Sequence, residues 1–425
     1  MINSTWQLLS LFLVLVSFGF LCWRRPVISA AAILFLAPTY LLKVNHWPLT
    51  VLELFLLVFF ACWAVKKIRE KVNSKEIFSK FLNIFGRSYF VALALILSGV
   101  LISTILSADW RLGAGIFKAW ILEPIIFSLI LAEIIKNKKE IKLMVSSLVA
   151  GTALVAIISL IYKIFDQLTF DGRLVGWYLS PNHLAMYLAP GFILAWWGFF
   201  TENDKNKKRL YLLVALILGL AIYFTFSYSA WLGILGAIGV ALFLSCKADF
   251  IEKRKVIIIG LLILIFFLAI GCWQGGSEKL NNLLKFDRSS WQSRLMVWQS
   301  AGKILESHWL VGVGPGLFQK YYLEYQSFFS VPYLEWAVPQ PHNLFLAWWL
   351  QSGILGLIGF LTLLVSYFKK IILIKQKQLL GVFLVAVFGY ILIHGLIDTP
   401  YWKNDLALIF WSIVSLGYIA SHYSD

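Results

Sequence analysis

Apolar runs of about 18–20 residues recur from one end of this 425-residue chain to the other. Each is long enough to cross a hydrocarbon core as a helix, and a helix satisfies every backbone amide within its own segment. With 60% hydrophobic and only 14% charged residues, there is too little polar surface to coat a soluble globule. The chain therefore reads as an all-α, polytopic integral membrane protein of about 12–13 transmembrane helices with one large extracytoplasmic loop. Spans are predicted at 5–22, 27–42, 49–65, 89–107, 114–135, 141–162, 183–200, 210–226, 229–246, 256–273, 343–368, 379–397 and 406–421.

The net charge of +16 does not point to nucleic acid, because of where it lies. Six connections hold 25 of the 37 Lys and Arg: 24–25, 66–87, 136–142, 205–209, 247–255 and 369–377. They fall at every second connection, the pattern of cytoplasmic loops under the positive-inside rule. Membrane lipids are the partner this charge suits, and the N-terminus is predicted outside. The first run has neither a basic n-region nor a small-residue cleavage site, so it reads as a retained span.

Four blocks follow: N-terminal spans (1–163), central spans with polar segments at their outer face (164–273), an extracytoplasmic loop (274–342) and C-terminal spans (343–425). No inverted internal repeat is visible, which counts against the usual transporter build. Cys22, Cys62, Cys246 and Cys272 form no disulfide framework or metal-spaced cluster. In the loop, SSWQSRLMVWQSAGKILES reads as a helix with Trp291, Arg294, Trp298 and Ala301 on one face. Gly312, Gly314, Pro315 and Gly316 then mark a tight turn.

The unusual polar residues gather at outward ends. In DGRLVGWYLSPNHLAMYLAP, Arg173 precedes a turn, and Asn182 and His183 open a span. Such a helix start suits an anion, although Asn182 is equally a candidate N-cap. Arg294, flanked by two indoles, can grip a phosphate bidentately or snorkel to the membrane surface. In VPQPHNLFLAWW, Asn343 is a good N-cap, but capping does not explain His342, a titratable ring at the membrane threshold. His394 and Asp398 are four apart, which on a helix puts them on one face. Lys403 and Asp405 read as solvated loop charges. No P-loop, HExxH, GxSxG or Asp-rich metal motif is present, so neither a metal nor another cofactor is predicted.

These blocks resemble the O-antigen ligase and O-antigen polymerase superfamily, which includes protein O-oligosaccharyltransferases. The resemblance rests on Arg294 and Trp298 on a helix, the turn from Gly312 to Phe318, His342–Asn343 before a span, and Gly353 to Gly356 within it. GRLVGWYLSPNHLAMYL and HGLIDTPYWKND also look like segments of that family. It covers roughly residues 165–410. Three positions depart from the pattern: Tyr228 stands where the family often has Arg, Trp309 where it favours Pro, and Gln351 where an acid is common.

The resemblance implies a transferase in the bacterial cytoplasmic membrane, acting at its outer face without metal or nucleotide sugar. It would move a glycan from an undecaprenyl-diphosphate carrier to a glycan, lipid or protein acceptor, as ligase or polymerase. His342 would act on the acceptor hydroxyl and Arg294 would bind the diphosphate, with Arg173 as candidate for the second arginine. Asn343, Trp298, Asn182, His183 and Asp398 complete the expected site. Two other readings stay open: a transporter or flippase of lipid-linked saccharide, and a peptidoglycan-type glycosyltransferase using an acid such as Glu306, Glu324 or Glu335.

Overall fold

The computed structural model describes residues 4–44, 48–254, 258, 260, 290–325, 337–373 and 379–423. Every predicted span within them lies in helix. These are α1 (Thr5–Arg24), α2 (Pro26–Phe35, extended by a 3-10 turn to Leu41), α3 (Val51–Arg69), α5 (Arg87–Ile105), α6 and α7 (Trp110–Ile116 and Glu123–Ile134, joined by a π turn) and α8 (Lys138–Ile164). They continue with α9 (Pro181–Thr201), α10 (Lys205–Phe224) and α11 (Tyr228–Lys247). Among the described residues, eight helices are long and apolar enough to cross a membrane, the α6–α7 unit counting as one. The span predicted at 256–273, with Cys272, lies outside the described residues, as does Glu335.

The predicted loop helix is α12 (Ser290–His308), and a short α13 (Phe318–Tyr325) follows the glycine turn. Three further helices close the chain: α14 (Leu344–Leu373), α15 (Leu379–His394) and α16 (Asn404–His422). An amphipathic helix not predicted as a span, α4 (Ser74–Phe85), buries Phe81, Ile84 and Phe85. At its end of the bundle the basic connections are tied by Glu133, which meets Lys67 at 2.8 Å and whose carbonyl accepts from Lys80.

Two features of α14 position the opposite end. It crosses α5 so closely that a Cβ on Gly99 would collide with the backbone of Gly356, a contact only glycine permits. It also breaks at Gly353 (φ 65°, ψ −173°), a conformation essentially reserved for glycine. The glycine turn repairs that break. Ile354 N donates to Leu310 O (3.1 Å), Val313 N to Leu350 O (2.7 Å) and Gly316 N to the buried Gln351 side chain (3.1 Å). A Cβ on Gly353 or Gly312 would sit on a carbonyl oxygen of the opposing segment. The turn and the Gly353–Gly356 block are thus two halves of one backbone contact. It sets the direction of the first turns of α14, and so of the residues just before them.

Candidate functional site

His342 stands immediately before that fixed helix. Asn343 caps it: its Oδ1 accepts from Phe345 N and Leu346 N, both at 3.0 Å, and its Nδ2 donates to Leu396 O at 3.0 Å. With capping taken over by its neighbour, His342 adopts a left-handed backbone (φ 47°), which is uncommon away from glycine and tends to mark constrained sites. Trp298 on α12 holds the strained peptide by donating Nε1–H to His342 O (3.2 Å). Trp291 packs edge-on against Trp298 at 5.5 Å, so the predicted indole face of α12 is turned to this place.

The His342 side chain meets Asp398: Nδ1 lies 3.2 Å from Oδ1. Asp398 is not on a shared helix face with His394, as the spacing suggested. Helix α15 ends at His394, and the chain turns so that Asp398 N donates to His394 O (3.0 Å). The side chains then part, His394 going to Tyr390 (2.7 Å) and Asp398 to His342. The buried Asp398 also accepts from Thr399 N (2.9 Å) and from Asn182 Nδ2 (3.1 Å). Burial works to raise its pKa. The hydrogen bond from His342 and the charges of His342, His394 and Arg294 outweigh that and hold the carboxyl well below the usual range.

Two guanidiniums complete the cluster. Arg294 donates Nε–H to Ile397 O at 2.8 Å. Arg173 donates Nε–H to Thr225 O (2.7 Å) and Nη2–H to Asn182 Oδ1 (2.6 Å). Burial lowers the Arg173 pKa first, and the nearby charge of Arg294 lowers it further, while Asp171 and Asp398 oppose both. Asn182 is therefore not the N-cap of α9; Ser180 is, accepting from His183 N at 3.1 Å. The Asn182 amide instead bridges the Arg173 guanidinium to the Asp398 carboxylate.

His183 goes elsewhere. It is buried, with Nε2 3.4 Å from Asp405 Oδ1 and 3.3 Å from the Tyr40 hydroxyl. Tyr178 donates to Asp405 Oδ2 (2.9 Å) and packs edge-on against the His183 ring at 4.5 Å. The expectation that Asp405 is solvated is wrong, since it is fully buried. Lys403 is not a free loop charge either: it lies over the Trp120 ring at 6.0 Å, and burial lowers its pKa. Both follow from docking the 398–405 segment between α9 and the π turn, a long-range packing that local sequence does not encode.

One contact set thus joins Arg173, Asn182, Arg294, Trp298, His342, Asn343 and Asp398, and leaves His183 out. Sequence reasoning missed the backbone carbonyls of Thr225 and Ile397 that aim the arginines, which carry no sequence signal. It also passed over Tyr178, which stood in the quoted segment two residues before Ser180.

Fold and cluster together define a multi-pass α-helical membrane protein with a His–Asp pair beside two arginines at one end of its bundle. The O-antigen ligase family model matches residues 212–361, about a third of the chain. That stretch includes Arg294, Trp298, the glycine turn, His342, Asn343 and the α14 break. Over that stretch the chain is similar to the O-antigen ligase family, whose members are glycan transferases and ligases. The comparison with curated proteins returned no match.

Proposed function

We propose that the protein is a metal-independent, lipid-linked glycan transferase, a ligase or polymerase working at the extracytoplasmic face on an undecaprenyl-diphosphate donor. The observation that carries this reading is the His342–Asp398 contact lying beside two guanidiniums. Asp398 fixes the ring so that Nδ1 carries a proton, and Nε2 takes the proton of the acceptor hydroxyl. The hydroxyl oxygen bonds to the anomeric carbon as the bond from that carbon to the diphosphate oxygen breaks. The carrier leaves as undecaprenyl diphosphate, its growing charge met by Arg294 and Arg173. Asp398, expected among the substrate-binding residues, serves here as the partner of His342, and Asn182 as the link that keeps Arg173 in place. Trp298 and Asn343 hold the backbone on either side of the base.

The test is transfer in reconstituted vesicles. Undecaprenyl-diphosphate oligosaccharide and a panel of glycan, lipid and peptide acceptors are supplied in chelator-treated buffer, and products are followed by mass spectrometry. The wild type is expected to form product. Arg294→Ala and Arg173→Ala should weaken donor use by at least about tenfold, the loss of a charge-assisted contact. Carrier crossing the bilayer without any transfer would sink this reading in favour of a flippase.

A further inference from the structure

A second set of ionisable side chains lies in the N-terminal half of the bundle, apart from His342. Lys118 Nζ pairs with Glu53 Oε1 at 2.7 Å, and the Glu53 side chain is 5% exposed against 37% for Lys118. The other Glu53 oxygen caps α3 by accepting from Thr50 N at 2.7 Å, so both of its oxygens are committed. Glu123 comes next. It is buried, and among the described residues neither of its solvent-sealed carboxyl oxygens has a hydrogen-bond partner.

The π turn over Phe117–Leu122 accounts for Lys118 being within electrostatic reach of Glu123. On an α-helix, residues five apart point about 140° away from each other. Here Glu123 N donates to Lys118 O, a bond reaching five residues back, and the wider turn brings the two side chains toward one face. Glu123 lies within electrostatic reach of Glu53 and Lys118. The other elements packed on α7 add no closer charge: α2 carries none, and the Lys80 of α4 is engaged at Glu133. From the α16 side, Lys403 lies across the Trp120 ring, and Asp405 is held by Tyr178 and His183.

One lysine neutralises one carboxylate. An ionised Glu123 would be a second, unsolvated and unpaired negative charge beside Glu53, a state that buried groups escape by binding a proton. We infer that Glu123 is a proton-binding site, loaded at neutral pH beside the Glu53–Lys118 pair. The same π turn is hydrogen-bonded to the segment that carries Tyr401 and Asn404. Pro124 has no N–H to offer, and the carbonyl of Trp120, four residues earlier, accepts instead from the Tyr401 hydroxyl (2.8 Å). The Trp120 indole donates to Asn404 Oδ1 (2.6 Å). Loss of the proton sets two carboxylates against one lysine.

The test compares thermal unfolding of the whole protein in detergent with that of Glu123→Gln, a permanently neutral isostere. The unfolded chain releases the Glu123 proton above about pH 4.3, while the folded chain keeps it, so stability falls as pH rises from there toward the folded value. The wild-type Tm should therefore fall more steeply than the variant's between mildly acidic and mildly alkaline pH. The variant should melt higher at the alkaline end and match wild type at the acid end. A variant that melts lower at every pH would mean an ionised, paired carboxylate and overturn the inference. Should Glu123→Gln fail to fold, infrared spectra of wild type carrying isotope-labelled glutamate decide instead. A protonated glutamate carbonyl band at neutral pH is expected, and its absence overturns the inference.

Discussion

Asp398 and Asp405 sit seven residues apart in the segment that joins α15 to α16, both buried, and consecutive residues of α9 hold them: Asn182 for the first, His183 for the second. Each also faces a histidine. The His342 side chain is 23% exposed, carries a left-handed backbone and stands next to two guanidiniums. His183 is 7% exposed and walled in by Tyr40 and Tyr178. The same pair of residue types thus makes two different things. A histidine that works on a substrate needs access and a neighbouring charge to receive the leaving group. A histidine sealed among aromatic rings and satisfied by a carboxylate instead fastens a segment. Here the fastening of Asp405 anchors the far end of the stretch that presents Asp398.

The largest effect expected from this contrast is on turnover. His342→Ala should lower glycan transfer on the order of 10²–10⁴-fold, the usual worth of a positioned base, when assayed at a temperature where the variant remains folded. Losing the hydrogen bond to the buried Asp398 also lowers the melting temperature. Equal losses of activity in His342→Ala and His183→Ala, at matched stability, would erase the distinction. On the sealed side, Tyr178→Phe leaves Asp405 Oδ2 without its 2.9 Å donor. Thermal or denaturant unfolding should show a loss of roughly 1–3 kcal/mol, the cost of orphaning a buried acceptor.

A pH series sharpens the open side. The Asp398 carboxyl, held below its usual range, stabilises the fold above its unfolded value of about 3.9, and that contribution fades as pH falls toward the folded value. Asp398→Asn should therefore melt below wild type at neutral pH, and the gap should close in strong acid. A gap independent of pH would mean that the charge of Asp398 plays no part. The smallest effect belongs to Asn343→Ala, where the lost cap of α14 should cost about 1 kcal/mol in unfolding experiments. If that variant also lost transfer as steeply as His342→Ala, the division of labour between the two neighbours would be wrong.

Period, length and punctuation are local properties, and they were legible. The helices, the face shared by Trp291, Arg294 and Trp298, and the Asn343 cap all follow from side chains acting on their own stretch of backbone. The glycines of the turn could be seen as well, but their reason could not. Gly312 and Gly353 are 41 positions apart, and only their contact shows that each gives room to the other's backbone. Asn182 shows the same limit. Its position before a span suits a cap, yet Ser180 takes the cap and leaves the amide to join Arg173 to Asp398.

What the sequence determined by itself was the kind of molecule and its parts: a helical membrane bundle, with basic connections alternating along the chain and Arg, His and Asn gathered at the other ends. Hydrophobic length and charge placement decide that before any tertiary contact forms. What only the tertiary structure decided was partnership. Asp398 faces His342 across 56 positions and Asn182 across 216, and Asp405 turns away from solvent to a histidine 222 residues earlier. Such pairings depend on how helices stack, because a buried carboxylate takes the donors that packing brings to it, and nothing local to an aspartate specifies which those will be.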